Sequence, residues 1–310
     1  MTKPKPARVD LSVRLCGLRL RNPVMAASGT FGYGTEYRGL CQPSDFGAVI
    51  TKTVTLEPRE GNPPPRLCET PAGMLNSIGL ANVGIERFLA EKLPPLRRSG
   101  TVIIANIAGR TIGEYAELAS LLDAAAGVSA IEVNISCPNV SRGGIAFGAD
   151  AGAAARVTSA VRRSCRKPVI VKLSPNVADM VPIARAAARA GADALSLINT
   201  IHGMSIDTSK RRPVLGNVTG GLSGPAIRPV ALYHVHRVSR AVHIPVIGLG
   251  GIMGADDAVQ FMLAGAAAVQ IGTASFASPG SARRIVAGLA LYCRRRGLPA
   301  AREITGWLAA

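Results

Sequence analysis

Short apolar or β-branched runs recur along the chain at residues 23–27, 48–52, 102–106, 130–134, 169–173, 194–198, 245–249 and 268–271. Between most of them lie Ala- and Leu-rich stretches of helical period, at 111–126, 151–165, 178–190, 225–241 and 255–264. Near-continuous apolar runs, rather than alternating ones, belong to strands covered on both faces, and alternating strand and helix implies a parallel sheet. Eight such strands predict an α/β fold of the closed (β/α)8 TIM barrel type rather than an open doubly wound sheet. Ahead of the first strand, residues 11–15 and 18–20 alternate around Cys16-Gly17 and predict an N-terminal β-hairpin that plugs the barrel bottom. Long insertions at 53–83, 138–148 and 200–224 follow strand C-termini, the face on which barrel enzymes build their sites. With no composition break and no repeat of fixed period, residues 1–310 are expected to form a single domain.

Composition narrows the class. A 48% hydrophobic content with 34 Gly and 21 Pro, and no long polar tract, indicates a globular chain. Apolar stretches break well before the ~18 residues of a membrane span. The start, Met1-Thr2-Lys3-Pro4-Lys5-Pro6, lacks the apolar core of a secretory signal, so a cytoplasmic location is expected. Cys16, Cys41, Cys68, Cys137, Cys165 and Cys293 form no CxxC pair, which argues against a metal site or a local cluster. Lys and Arg number 36 against 19 acidic residues, a net +17. The basic residues are dispersed and aromatics reach only 4%, so nucleic-acid binding stays an alternative without a recognition motif behind it.

Candidate chemistry gathers at the strand ends. Ser28-Gly29, Lys52-Thr53, Asn106, Asn134, Lys172, Asn199-Thr200, Gly250-Gly251 and Gly272-Thr273 each close a strand. One such Asn is an ordinary turn former. Repeated around one rim, they supply donors and acceptors for a planar heterocycle, with cationic charge for a developing anion. The loop Gly248-Leu249-Gly250-Gly251-Ile252-Met253-Gly254, with Gln270-Ile271-Gly272-Thr273, falls where barrels hold phosphate on backbone N–H groups. It is not a GxGxxG fingerprint, because Met253 takes the third glycine's place and no first βαβ unit surrounds it. Lys172 ends a strand, where it is either a surface lysine or, if buried, an ammonium that needs an anionic partner. Either a Schiff-base lyase or stabilisation of negative charge on a reduced flavin suits it. Cys137, in Asn134-Ile135-Ser136-Cys137-Pro138-Asn139, is either a small buried hydrophobe or a general base or nucleophile.

Four segments together carry a resemblance: residues 69–82 (ETPAGMLNSIGLAN), Thr51-Lys52-Thr53, the Asn134–Asn139 run, and Gly220-Gly221-Leu222-Ser223-Gly224-Pro225. They resemble the catalytic subunits of class 1B dihydroorotate dehydrogenases, and the likeness covers essentially the whole chain. Ala81 and Val83 depart from it, standing where that family more often has Gln and Pro. The resemblance implies an FMN-containing barrel that oxidises dihydroorotate to orotate in pyrimidine biosynthesis. It gives Cys137 the role of base at substrate C5, with hydride passing from C6 to FMN. Lys52, Asn76, Ser77, Ile78, Gly79, Leu80, Asn134, Asn199 and Thr200 would hold the substrate. Ser28, Lys52, Thr53, Asn106, Asn134, Lys172, Ile198, Gly224, Gly250, Gly251, Gly272 and Thr273 would hold FMN. It further implies a homodimer core within a heterotetramer, whose partner subunit carries FAD and a [2Fe–2S] cluster and passes electrons to NAD. A fumarate-using class 1A enzyme, or a related FMN-dependent pyrimidine oxidoreductase, is the nearest alternative.

Overall fold

The apolar runs become eight parallel strands that close on themselves in sequential order. They are β1 (Val24–Ala26), β2 (Ala48–Ile50), β3 (Val102–Ile107), β4 (Ala130–Asn134), β5 (Val169–Lys172), β6 (Ala194–Leu197), β7 (Val246–Leu249) and β8 (Ala266–Ile271). The computed structural model describes residues 9–37, 39–136 and 147–309. Helices Ile112–Ala124, Ala151–Ser164, Val181–Arg189, Arg228–Ser239, Ala255–Leu263 and Ser281–Arg296 surround the barrel. Predicted helix starts at 178 and 225 fall three residues early, and both delays end at a proline. Pro182 and Pro229 each sit in a helical first turn, where a missing N–H leaves no bond unmade.

Strand parity sorts the core into two shells. Val49, Ile103, Ile131, Val133, Val171, Leu195 and Val269 pack outward with helix residues such as Leu118, Val157, Val235 and Phe261. Their neighbours Met25, Ile50, Ile104, Ala130, Ile170, Ala194, Ile247 and Ala268 form a separate inner cluster with Val13, Leu15 and Leu20 of the hairpin. The hairpin, Val13–Leu15 paired with Leu18–Leu20, therefore fills the barrel floor as expected. Its two turn residues, Cys16 at φ 50° and Gly17 at φ 79°, have the left-handed geometry of a tight two-residue turn.

Because side chains alternate faces along a strand, the next inward position on each strand lies one layer higher. On six strands those positions are Lys52, Asn106, Glu132, Lys172, Ser196 and Gln270, and on β1 and β7 they are Ala27 and Leu249. The barrel interior thus changes from apolar to polar on the way to its C-terminal mouth. Over the mouth lies a four-stranded sheet that the sequence reading leaves as unstructured insertions. It runs in the order Ile201–Met204, Thr219–Ser223, Gly73–Asn76, Leu67–Thr70. Gly221 lies opposite Asn76 there, and a Cβ on Gly221 would come within 2.0 Å of Thr200 Oγ1. No other residue type permits that approach.

Candidate active site

The polar layer and the sheet above it enclose a cleft of about 750 Å³, within the range of cofactor sites. Of the residues singled out above for substrate or cofactor, every one but Asn106 and Cys137 lines it. Asn106 lies one step below, fully buried, and Cys137 lies outside the described residues.

The cleft floor is a connected hydrogen-bond network. Lys172 Nζ, 5% exposed, donates to Ser28 Oγ at 3.1 Å and lies 3.8 Å from Glu132 Oε1. Glu132 is fully buried. Its carboxylate accepts from Asn106 Nδ2 (2.7 Å), Ser196 Oγ (2.9 Å) and Gln270 Nε2 (2.8 Å). Thr53 Oγ1 donates to Asn106 Oδ1 at 2.6 Å, which fixes how that amide is turned. Glu132 is the anionic partner that Lys172 requires, and the sequence reading missed it. The signal was present: a charge inside an apolar strand must be paired, and Glu132 shares a strand face with Asn134.

On one side of the mouth Asn199 Nδ2 donates to Ser136 Oγ (2.9 Å) and Asn134 Oδ1 (3.3 Å), while Tyr115 Oη donates to the Asn134 carbonyl (2.7 Å). Asn176, also overlooked, donates to the Thr200 carbonyl at 3.0 Å and accepts from the His202 N–H at 2.9 Å, tying β5 to the overlying sheet. Its signal was another strand-end Asn in Leu173-Ser174-Pro175-Asn176. Across the cleft, Asn76 Nδ2 donates to the Gly221 carbonyl at 3.1 Å. Asn82 holds the 77–80 segment by donating to the Leu80 carbonyl at 2.7 Å. Val83 N–H reaches Tyr33 Oη at 3.4 Å, a bond that proline at this position could not make. Lys52 is half-buried at the cleft edge, and burial holds its pKa below the ordinary lysine value.

The far end is built from glycine. Gly251 adopts φ 80°, and a Cβ there would fall 2.7 Å from Arg228 Cβ and 2.8 Å from the Gly224 carbonyl. Asp257 fixes this loop by accepting from Met253 N–H (2.9 Å) and Gly254 N–H (3.0 Å) and by pairing with Arg228. Thr273 Oγ1 donates to Ser223 Oγ at 2.9 Å and joins the end of β8 to the overlying sheet.

A parallel barrel with a polar cleft at its C-terminal mouth, lysines at the cleft and glycine turns at one end, has the architecture of a barrel enzyme. The sequence profile of the dihydroorotate dehydrogenase family matches residues 10–292, and the chain belongs to that family. The dihydroorotate dehydrogenase B (NAD(+)) catalytic subunit of Geotalea daltonii is 58% identical over 302 residues, spanning 97% of this chain and 99% of that one. Proteins of the same name from Geotalea uraniireducens and Geobacter sulfurreducens are 57% and 58% identical, each across 96% of this chain and 98% of their own. Among the described residues, no helix is long and apolar enough to cross a membrane.

Proposed function

We propose that this chain is the catalytic subunit of an NAD-linked dihydroorotate dehydrogenase, converting dihydroorotate to orotate over FMN held in the cleft. The observation that carries the reading is the meeting of Lys52, Lys172, the asparagine rim and the glycine loops in one cleft. Near-full-length identity to subunits of that name supports it. The residues fit FMN. Gln270 Oε1 is buried without a hydrogen-bond partner, an acceptor available to a ring N–H, and Gly251 makes a tight left-handed turn at the cleft edge that no side chain could share. Ser28, Lys52, Thr53, Asn134, Lys172 and Ile198 would surround the ring, and Gly224, Gly250, Gly251, Gly272 and Thr273 the phosphate. Asn106 would act from below, through Thr53. FMN supplies hydride acceptance, which no side chain offers.

The chain's own residues do the rest. Lys52 and the segment Asn76-Ser77-Ile78-Gly79-Leu80 would bind the substrate carboxylate and one ring edge. Asn134, Asn199 and Thr200 would bind the opposite edge, since amides offer both donors and acceptors. Ser77 Oγ, buried without a partner, is a further hydroxyl open to the substrate. Cys137 would remove the C5 proton from the face opposite the flavin, and the overlying sheet would exclude water. Lys172 would oppose the negative charge that builds on the bound flavin.

The whole chain, residues 1–310, would act as one FMN-binding domain in the cytoplasm. Its partners would be a second copy and an electron-transfer subunit bearing FAD and [2Fe–2S]. NAD reduction by the chain purified with an iron–sulfur flavoprotein is the expected result. Efficient fumarate reduction by the chain alone would overturn the subclass and favour the class 1A alternative.

A further inference from the structure

We propose that Glu132 is a positioning residue that restrains the Lys172 ammonium at the cleft floor and so sets the bound flavin's reduction potential. The inference rests on the FMN reading above and goes beyond it, because Glu132 cannot touch the ligand. Lys172 lines the cleft and Glu132 does not. The carboxylate is fully buried, and its oxygens are met by donors from β3, β6 and β8 as well as by the lysine on β5. Asn106 cannot turn away, because its carbonyl oxygen accepts from Thr53. Each donor faces inward from a different strand, so the carboxylate is held by the barrel frame rather than by a mobile loop.

That arrangement has an electrical consequence. An ammonium with a carboxylate 3.8 Å beneath it presents a short dipole to the ring rather than a full charge. Ser28 and Glu132 together hold Nζ at the floor. A lysine freed of the carboxylate has one fixed partner fewer and moves toward the nearest anion, which is the reduced flavin. The reduced form then gains stability and the potential rises. Removing one member of a buried pair strands the other, which is why the test needs both positions.

The experiment is a cycle of Glu132→Gln, Lys172→Met and the double variant, each as the intact flavoprotein, with the FMN midpoint potential measured by dye equilibration. Glu132→Gln is expected to raise the two-electron potential by at least ~30 mV, a tenfold change in the reduction equilibrium. In the Lys172→Met background the same substitution is expected to raise it by clearly less, because no ammonium remains to be released. An unmoved potential with flavin bound overturns the inference. So does an equal rise in both backgrounds, which would mean the carboxylate acts on the ring directly. If Glu132→Gln does not fold, the double variant, with both charges gone, is expected to recover folded protein. A double variant that folds no better than Glu132→Gln also overturns the pairing. Wild-type protein unable to hold FMN would defeat the reading of the cleft itself, whereas flavin retained with an unmoved potential defeats only this inference.

Discussion

Lys52 and the cysteines show how burial sets what single residues can do. Burial lowers the Lys52 pKa from the ordinary 10.5, with Glu36 opposing the shift and Arg66 adding to it. Below the lowered pKa the lysine is charged in both folded and unfolded chains, so its burial penalty is carried in full there. As pH rises from that value toward 10.5, the folded chain sheds the proton first and stability increases. Binding of a carboxylate has the opposite sense, because it needs the ammonium. Orotate affinity, followed by flavin absorbance, is therefore expected to fall as pH rises, with the fall beginning before pH 10.5 is reached. A flat profile through that pH would remove Lys52 as the carboxylate's partner. Burial also pushes the thiols of Cys16 and Cys41 up to about 12 and that of Cys165 to about 11. Iodoacetamide at pH 7 is expected to leave all three unmodified in folded protein, and modification of any of them, read by mass spectrometry, would contradict their placement. At this scale the rim was legible, because Asn134, Asn199, Lys52 and Lys172 all end strands. Glu132 showed only as a lone charge within the apolar run Ala130-Ile131-Glu132-Val133-Asn134, because its partners lie on four other strands and leave no local pattern.

The parallel strands could be read from sequence because both of their faces are covered, so the apolar signal runs along the whole element. Their bounds shifted by only a residue or two; β4 matches residue for residue. The sheet over the mouth could not be read in this way. Its strands Gly73–Asn76 and Thr219–Ser223 carry three glycines between them and pair residues 145 positions apart, as at Asn76 and Gly221. No local period marks such an element; close backbone approach marks it instead. The loop after β7 depends on the same property. Gly251→Ala must relieve contacts of 2.7 and 2.8 Å at a φ of 80°. Strain of about 1–3 kcal/mol in that turn is expected, with FMN retention falling at least ~tenfold while the far-ultraviolet circular dichroism stays that of the wild type. Unchanged FMN affinity would separate this loop from the phosphate.

Across the whole molecule, the apolar floor and the polar roof of the barrel are separable. Leu15, fully buried in the hairpin, packs with Ile50, Ile104, Ile170 and Ile247 well below the polar layer. Leu15→Ala is expected to lower stability by about 2–5 kcal/mol in denaturant unfolding while leaving the flavin spectrum unchanged. Loss of flavin from the folded variant would show that floor and cleft are coupled. The dispersed excess of basic residues, +17, has no counterpart in the cleft chemistry. Oxidation of dihydroorotate by this cleft, with Cys137 as the base, is tested most directly by mixing the yellow protein with dihydroorotate without oxygen or any other acceptor. Wild-type protein is expected to bleach its flavin absorbance and release orotate, and Cys137→Ser to do so at least ~100-fold more slowly near neutral pH while still binding orotate. Flavin that stays oxidised in the wild type, or bleaching by Cys137→Ser at the wild-type rate, would contradict it.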